Sequence, residues 1–169
     1  MAAVKVRQPA EAGGTMGVKL IVCDVDGTLI DHSETVIPEL IQIVDQCRKE
    51  HIYFSLASGR TKELIEDIRL KLHVTEPYIT ANGACVFVDD TCVLMKGFCA
   101  DPITDIINDA NRAGLTVTCS DAYQERALSV TDYVEEHRKL GNRFKQLLDF
   151  HAVDWKKQKF FKIMFMDEH

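Results

Sequence analysis

The chain has 169 residues, of which 46% are hydrophobic and 27% are charged, and its formal net charge is −6. This length allows one hydrophobic core, so we expect one domain, or one domain with a small second unit. The negative charge argues against nucleic acid as a partner, because neutralising phosphates requires clustered Lys and Arg. No apolar stretch approaches the roughly 20 residues of a membrane-spanning helix, and no apolar signal segment is seen, so we expect a cytoplasmic protein without membrane contact.

Residues 1–16 mix Pro, Gly and Ala without a lasting hydrophobic period, which predicts a flexible N-terminal tail. The six cysteines are scattered among apolar neighbours and form no C-x-x-C pair. We interpret them as reduced and mostly packed thiols rather than as disulfides or zinc ligands.

The run VKLIVCDVD is typical of a strand buried on both faces, as in a parallel sheet. Pro38 fits the first turn of a helix, and apolar residues follow at helical spacing as far as Cys47. The run IYFSLAS predicts a second strand, and Thr61 can cap a second helix. The run PYITANGACVFV predicts a third strand, interrupted at Asn82 and Gly83. This β-α-β-α-β order with short connections indicates an open parallel sheet with right-handed crossovers.

Beyond Asp89 the pattern is less regular and indicates a smaller α/β unit. We predict in it short strands at 91–98 and 115–120, a helix at 102–113, a mainly helical segment at 131–149 and a final strand at 159–166. The fold class is therefore α/β, with a partial doubly wound parallel core in the first half of the chain.

Asp24 and Asp26 lie two residues apart at the end of the first predicted strand, and Ser58 ends the second. Ligands of open parallel sheets bind at these carboxyl ends. Two carboxylates this close repel each other unless they share a cation, which suggests a hard divalent ion such as Mg²⁺ and leaves Asp24 free to act as a nucleophile. Gly27 permits a turn that gathers amides around an anion and brings Asp26 alongside as acid and base. A polar turn that merely closes the strand accounts for the same residues.

The run DVDGTLID closely resembles the first motif of the haloacid dehalogenase (HAD)-like hydrolases, and FSLASGR resembles their second, in which a Ser or Thr ends the next strand. The run TANGA resembles the Cof-like members, whose cap domain is inserted between the second and third motifs. The resemblance covers residues 17–169. It implies a Rossmann-like HAD core at 17–84 and an incomplete α/β cap domain at 85–169.

By this resemblance, Asp24 attacks phosphorus to form an aspartyl-phosphate, while Asp26 protonates the leaving oxygen and then activates water. Magnesium would bridge Asp24, the phosphate and the main-chain carbonyl of Asp26. Amides at the N-terminus of the helix after Ser58 would also favour the phosphate. The candidate phosphate- and substrate-binding residues are Gly27, Thr28, Ser58, Gly59, Arg60 and Asn82. For Arg60 the alternative is a surface arginine, and for Asn82 it is a simple turn.

The resemblance implies a magnesium-dependent phosphatase of small phosphorylated metabolites. A phosphomutase of sugar phosphates and a catalytically inactive phosphate- or metal-binding module are the alternatives. The family's later lysine and acidic pair are not found, because Lys162 belongs to the final strand and Asp167 and Glu168 lack the required glycine and spacing. We therefore expect a fragment, splice product or shortened gene model with impaired activity. Its first strand would form an exposed apolar edge, through which a homo-oligomer could form.

Overall fold

The computed structural model describes residues 18–30, 35–140 and 143–167, so the predicted tail at 1–16 lies outside the described residues. The described chain is a mixed α/β fold with two sheets, as predicted. The strands are β1 Leu20–Asp24, β2 Tyr53–Ala57, β3 Tyr78–Thr80, β4 Cys85–Val88, β5 Thr91–Met95, β6 Thr116–Ser120, β7 Glu125–Ala127 and β8 Lys162–Met166. The α-helices are α1 Pro38–Lys49, α2 Lys62–Lys71, α3 Thr104–Arg112 and α4 Asp132–Leu140.

The first sheet has the strand order β1-β2-β3-β4-β5, and β1, β2 and β3 run parallel. Helices α1 and α2 connect these three strands, which confirms the predicted β-α-β-α-β order. Val44 of α1 and Ile65 of α2 are buried together with Phe54 and Leu56 of β2 in one core. Their helical spacing was the signal from which both helices were predicted.

Strand β1 is not buried on both faces, so that prediction is wrong. Leu20 and Val22 are 51% and 47% exposed, whereas Ile21 and Cys23 pack against the core. Successive side chains of a strand point to opposite faces, so one face of β1 lies against the core and the other is open to solvent. In the described part of the chain, β1 also stands at one end of the strand order.

The segment predicted as one interrupted strand forms two antiparallel strands, β3 and β4, because the chain reverses between them. Asn82 and Gly83 adopt φ values of 54° and 88° in a short 3₁₀ turn. Asn and Gly tolerate this left-handed conformation better than other residues, so the Asn-Gly pair carried a turn signal. Strands β4 and β5 belong to the first sheet, which thus continues past residue 84, the predicted end of the core. The division of the chain into two domains stays a prediction.

The second sheet is antiparallel, with β6 between β7 and β8. Ile107 of α3, Val117 of β6 and Phe160 form the centre of a second core. The helix predicted at 131–149 ends at residue 140, so that prediction is wrong for 143–149. A φ of 54° at the buried Phe144 is incompatible with a continuing right-handed helix.

All six cysteines are free thiols with buried or half-buried side chains, which confirms their interpretation as packed and unpaired. Burial raises the pKa of the Cys119 thiol to about 12, so this side chain stays protonated at neutral pH. Within the described ranges, none of the helices has the length and apolarity needed to span a bilayer.

Candidate active site

The end of β1 and the turn after it present two carboxylates to solvent. Val25, which separates Asp24 from Asp26, is fully buried, and its carbonyl accepts a hydrogen bond from the amide of Thr28 at 3.3 Å. Gly27 has a φ of 73°, a conformation that other residues rarely adopt. This turn leaves both aspartates exposed, as it does Gly27 and Thr28, the two candidate residues that follow them.

Ser58 directly follows β2 and is 4% exposed. Its backbone amide donates to the carbonyl of Ile79 at 3.0 Å, and its carbonyl accepts from the amide of Asn82 at 3.1 Å. The hydroxyl oxygen accepts from the amide of Arg60 at 3.1 Å. The loop thus fixes Ser58 at the carboxyl end of the sheet, and its hydroxyl keeps one hydrogen that it can donate to a ligand.

Gly59 and Asn82 bring the loops of the FSLASGR and TANGA runs into direct contact. A Cβ atom added at Gly59 would lie 2.7 Å from Oδ1 of Asn82, which is closer than real Cβ contacts. A larger residue at this position would force the exposed Asn82 side chain to move away.

Arg60 connects the second motif to the first. Its Nε donates to Oδ1 and Oδ2 of Asp26 at 3.0 and 3.2 Å, and its Nη2 donates to Oδ1 at 2.6 Å. This bidentate arrangement is the strong form of an arginine–carboxylate pair. The Arg60 side chain is 19% exposed and that of Asp26 is 52% exposed. Arg60 is therefore directed towards Asp26, in the turn after β1, and its contact with phosphate or substrate stays a prediction.

The first amides of α2 are already engaged in hydrogen bonds. The amide of Lys62 donates to the carbonyl of Ala122 at 3.3 Å, and the amide of Glu63 donates to the carbonyl of Tyr123 at 2.8 Å. Amides at this helix N-terminus were expected to favour phosphate, and two of them instead donate to carbonyl groups of the chain. Ala122 also packs into the first core, so the loop that precedes β7 is docked against α2.

A cavity of about 430 Å³ connects this loop region to the second sheet. Four of the predicted site residues line it, namely Asp26, Gly59, Arg60 and Asn82. The other four, which lie at the same edge of the sheet but outside the lining, are Asp24, Gly27, Thr28 and Ser58. The volume is suited to a small molecule.

Sequence reasoning missed the residues that the second sheet contributes to the cavity wall. Ser120 pairs with Glu125 of β7 on one side and with Lys162 of β8 on the other, so these three residues form one row across the sheet. Arg143 and Phe161 complete this side of the cavity. The sequence correctly placed Lys162 in a final strand, but no local pattern indicates which residue lies opposite it.

Asp24 and Asp26 provide the oxygen ligands that Mg²⁺ prefers, and this ion is often held by only one or two carboxylates together with water and substrate phosphate. The donor chemistry at the end of β1 therefore fits magnesium. Among the described residues, however, no group of three or more His, Cys, Asp and Glu side chains is arranged to hold a metal ion.

The model of the haloacid dehalogenase-like hydrolase family matches residues 21–169. The chain belongs to this family. A glucosyl-3-phosphoglycerate/mannosyl-3-phosphoglycerate phosphatase of Persephonella marina is 34% identical over 68 residues, which are 40% of this chain and 25% of the relative. A phosphoglycolate phosphatase of Thermoplasma volcanium is 29% identical over 73 residues, which are 43% of this chain and 33% of the relative.

Solved structures of HAD proteins share the fold. A protein of Thermotoga maritima superposes with a TM-score of 0.69 at 16% identity, over 89% of this chain and 57% of that structure. A sugar phosphatase of HAD subclass IIB superposes with a TM-score of 0.64 at 15% identity, over 85% of this chain and 56% of that structure. The resemblance stated from the motifs is thus confirmed, although the chain spans only about half the length of these structures.

Proposed function

We propose that this HAD-family chain acts as a magnesium-dependent phosphatase on phosphate monoesters of small metabolites in the cytoplasm. The observation that carries the proposal is the position of the D-x-D pair. Both carboxylates stand at the end of a parallel strand, next to the Ser58 loop, and Asp26 also lines a cavity of small-molecule size. The names of two matching relatives, both phosphatases, support the reaction class.

In this proposal, Asp24 attacks phosphorus while the ester oxygen departs, which gives an aspartyl-phosphate and an alcohol. Asp26 donates a proton to the departing oxygen and then removes a proton from the water that hydrolyses the aspartyl-phosphate. Ser58 donates its hydroxyl hydrogen to a phosphate oxygen. Magnesium held by Asp24 and Asp26 would supply charge neutralisation for the phosphate.

Arg60 has a positioning role in this scheme. Arg60 donates hydrogen bonds to both carboxylate oxygens of Asp26, and the preceding residue, Val25, is buried. The side-chain contact and the buried backbone neighbour together restrict the position of the Asp26 carboxylate. A phosphate that enters the cavity meets the same guanidinium, which binds phosphate oxygens in the same bidentate manner as carboxylates. Arg60 can thus contact the phosphate and orient Asp26 with one side chain.

The test is phosphate release from a panel of sugar phosphates and phosphorylated acids, with and without Mg²⁺. Asp24→Asn should abolish release, and Asp26→Asn should lower it by about 100-fold or more, because it removes the general acid and base. Asp67→Asn is the matched control, since Asp67 is exposed on α2 and does not line the cavity. Release that is unchanged in Asp24→Asn, or that does not need Mg²⁺, contradicts the proposal.

Two other outcomes would support the alternative functions. Calorimetric binding of phosphate and Mg²⁺ without any turnover would indicate a catalytically inactive binding module. Conversion of one sugar phosphate to an isomer, without free phosphate, would indicate a phosphomutase.

A further inference from the structure

The part of the cavity wall that the second sheet forms contains a buried carboxylate. Glu125 of β7 is 3% exposed. Its Oε1 accepts hydrogen bonds from the hydroxyls of Ser120 at 3.3 Å and Thr118 at 3.5 Å. Both hydroxyls come from the neighbouring strand β6, so the sheet itself fixes the orientation of this carboxylate.

Two cations from separate segments converge on Glu125. Arg143 places Nη2 at 3.3 Å from Oε2, and Lys162 places Nζ at 3.9 Å from Oε1. The side chains of Arg143 and Lys162 are 31% and 44% exposed, and both line the cavity. Glu125 therefore positions two cationic groups at the edge of a space that a ligand can enter.

The two cations retain hydrogen-bonding capacity that Glu125 does not use. The Arg143 Nε is buried and has no hydrogen-bond partner among the described residues. The 3.9 Å separation between Lys162 and Glu125 is an ion pair rather than a hydrogen bond, so Glu125 leaves the ammonium hydrogens available to another acceptor.

The charges around the cavity are unequally distributed. On the side of the D-x-D pair, Arg60 forms an ion pair with Asp26, and Asp24 adds a second carboxylate at the same edge of the sheet. On the side of the second sheet, Arg143 and Lys162 face Glu125 alone among the lining residues, which leaves one positive charge in excess. A buried ion pair is a weak source of stability, because desolvation offsets much of the attraction. The cluster of Glu125, Arg143 and Lys162 is thus better suited to orienting two cationic side chains towards a ligand than to stabilising the fold.

We propose that Arg143 and Lys162 bind a second anionic group of the substrate, a carboxylate or a second phosphate, while the ester phosphate lies at the D-x-D pair. The proposal rests on the proposed phosphatase function and narrows its substrate class to phosphate monoesters with a second negative charge. Glu125 is a positioning residue in this arrangement, since it touches the two cations and not the substrate.

The experiment compares two ligands that differ only in the second anion. Calorimetry in the presence of Mg²⁺ measures the binding of 3-phosphoglycerate and of glycerol 3-phosphate, in which an alcohol replaces the carboxylate. The 169-residue protein should bind 3-phosphoglycerate at least about tenfold more tightly, as expected for a charge-assisted contact with two cations. Equal affinities, or no binding of either ligand, overturn the proposal.

Substitutions assign the preference to the two cations. Arg143→Gln and Lys162→Gln should each lower the affinity ratio, and together they should bring it close to one. Lys162→Arg keeps the charge and should keep the preference. Lys157→Gln is the charge-matched control, because Lys157 is 85% exposed and lies outside the cavity. The proposal is overturned if the double variant is folded, as judged by circular dichroism, and still binds 3-phosphoglycerate more tightly than glycerol 3-phosphate by the wild-type ratio. If the double variant unfolds, the affinity ratio of Lys162→Gln alone decides.

Phosphate release is measured on the same samples, which separates this proposal from the proposed function. Discrimination in binding without release from either ester rejects the phosphatase and keeps the second-anion site. Release without discrimination keeps the phosphatase and rejects the site. A parallel comparison of fructose 1,6-bisphosphate with fructose 6-phosphate shows whether the second anion is a phosphate instead of a carboxylate.

Discussion

At the residue scale, Gly59 and Asn82 couple two loops of the site. Gly59→Ala would place a methyl group 2.7 Å from Oδ1 of Asn82 and should lower the free energy of unfolding by up to about 1 kcal/mol, because the exposed Asn82 side chain must leave its rotamer. In an Asn82→Ala background the same substitution should cost much less, because the clashing atoms are gone. Urea unfolding of the four proteins in this double-mutant cycle measures the coupling. Costs that are equal in both backgrounds would show that the two side chains do not meet.

Individual residues differ in how well the sequence predicts them. Asp24, Asp26 and Ser58 were predicted because each follows a recognisable strand, and the carboxyl ends of parallel strands share one edge. Glu125 and Arg143 were missed because their place in the cavity depends on contacts between segments far apart in the sequence. The engagement of two α2 amides was missed for a related reason, since the carbonyls that accept from them come from a distant loop.

At the element scale, helix α2 contains an ion pair that should make stability depend on pH. A hydrogen bond from Arg69, with Nη2 at 2.6 Å from Oε1, holds the pKa of Glu66 below its usual value of 4.5. A carboxyl group whose pKa is lowered in the folded state stabilises the fold above its unfolded pKa, and this contribution is lost as the pH falls through the folded pKa. At pH 7, Glu66→Gln should therefore be less stable than the wild type by up to about 1 kcal/mol.

The measurement for this pair is urea unfolding at pH 7 and at pH 3. The difference between wild type and Glu66→Gln should shrink at pH 3, because the unfolded chain then binds a proton at Glu66 and the contribution declines as the pH falls towards the lowered folded pKa. Asp67→Asn on the same helix serves as the control, because Asp67 is exposed and forms no ion pair with another residue of the described ranges. A difference of the same size at both pH values would rule out this origin of the pH dependence.

Elements with a clear period were predicted well, and elements defined by their partners were not. Helices α1 and α2 carry one apolar stripe each, so their bounds were close to those observed. Strand β7 has only three residues and too short a pattern to be recognised. The reversal between β3 and β4 was visible in the Asn-Gly pair but was interpreted as an interruption of one strand.

At the scale of the whole molecule, the open face and edge of β1 predict self-association. Val22 is 47% exposed and Leu20 is 51% exposed on a strand that ends the described sheet order, an arrangement that favours pairing with another chain. Val22→Lys should lower the average mass in sedimentation equilibrium towards that of the monomer. Ile43→Lys is the control, since Ile43 is 54% exposed but lies on α1. A wild-type protein that stays monomeric at high concentration would contradict the prediction.

The loop that docks on α2 covers the N-terminal amides of this helix beside the cavity. The carbonyls of Ala122 and Tyr123 accept the amides of Lys62 and Glu63, and Tyr123 also meets Phe87 edge to face with ring centroids 5.6 Å apart. Any displacement of this loop breaks the two hydrogen bonds and uncovers the positive end of a helix dipole beside the cavity. In the docked position, the loop therefore competes with an anion for these two amides.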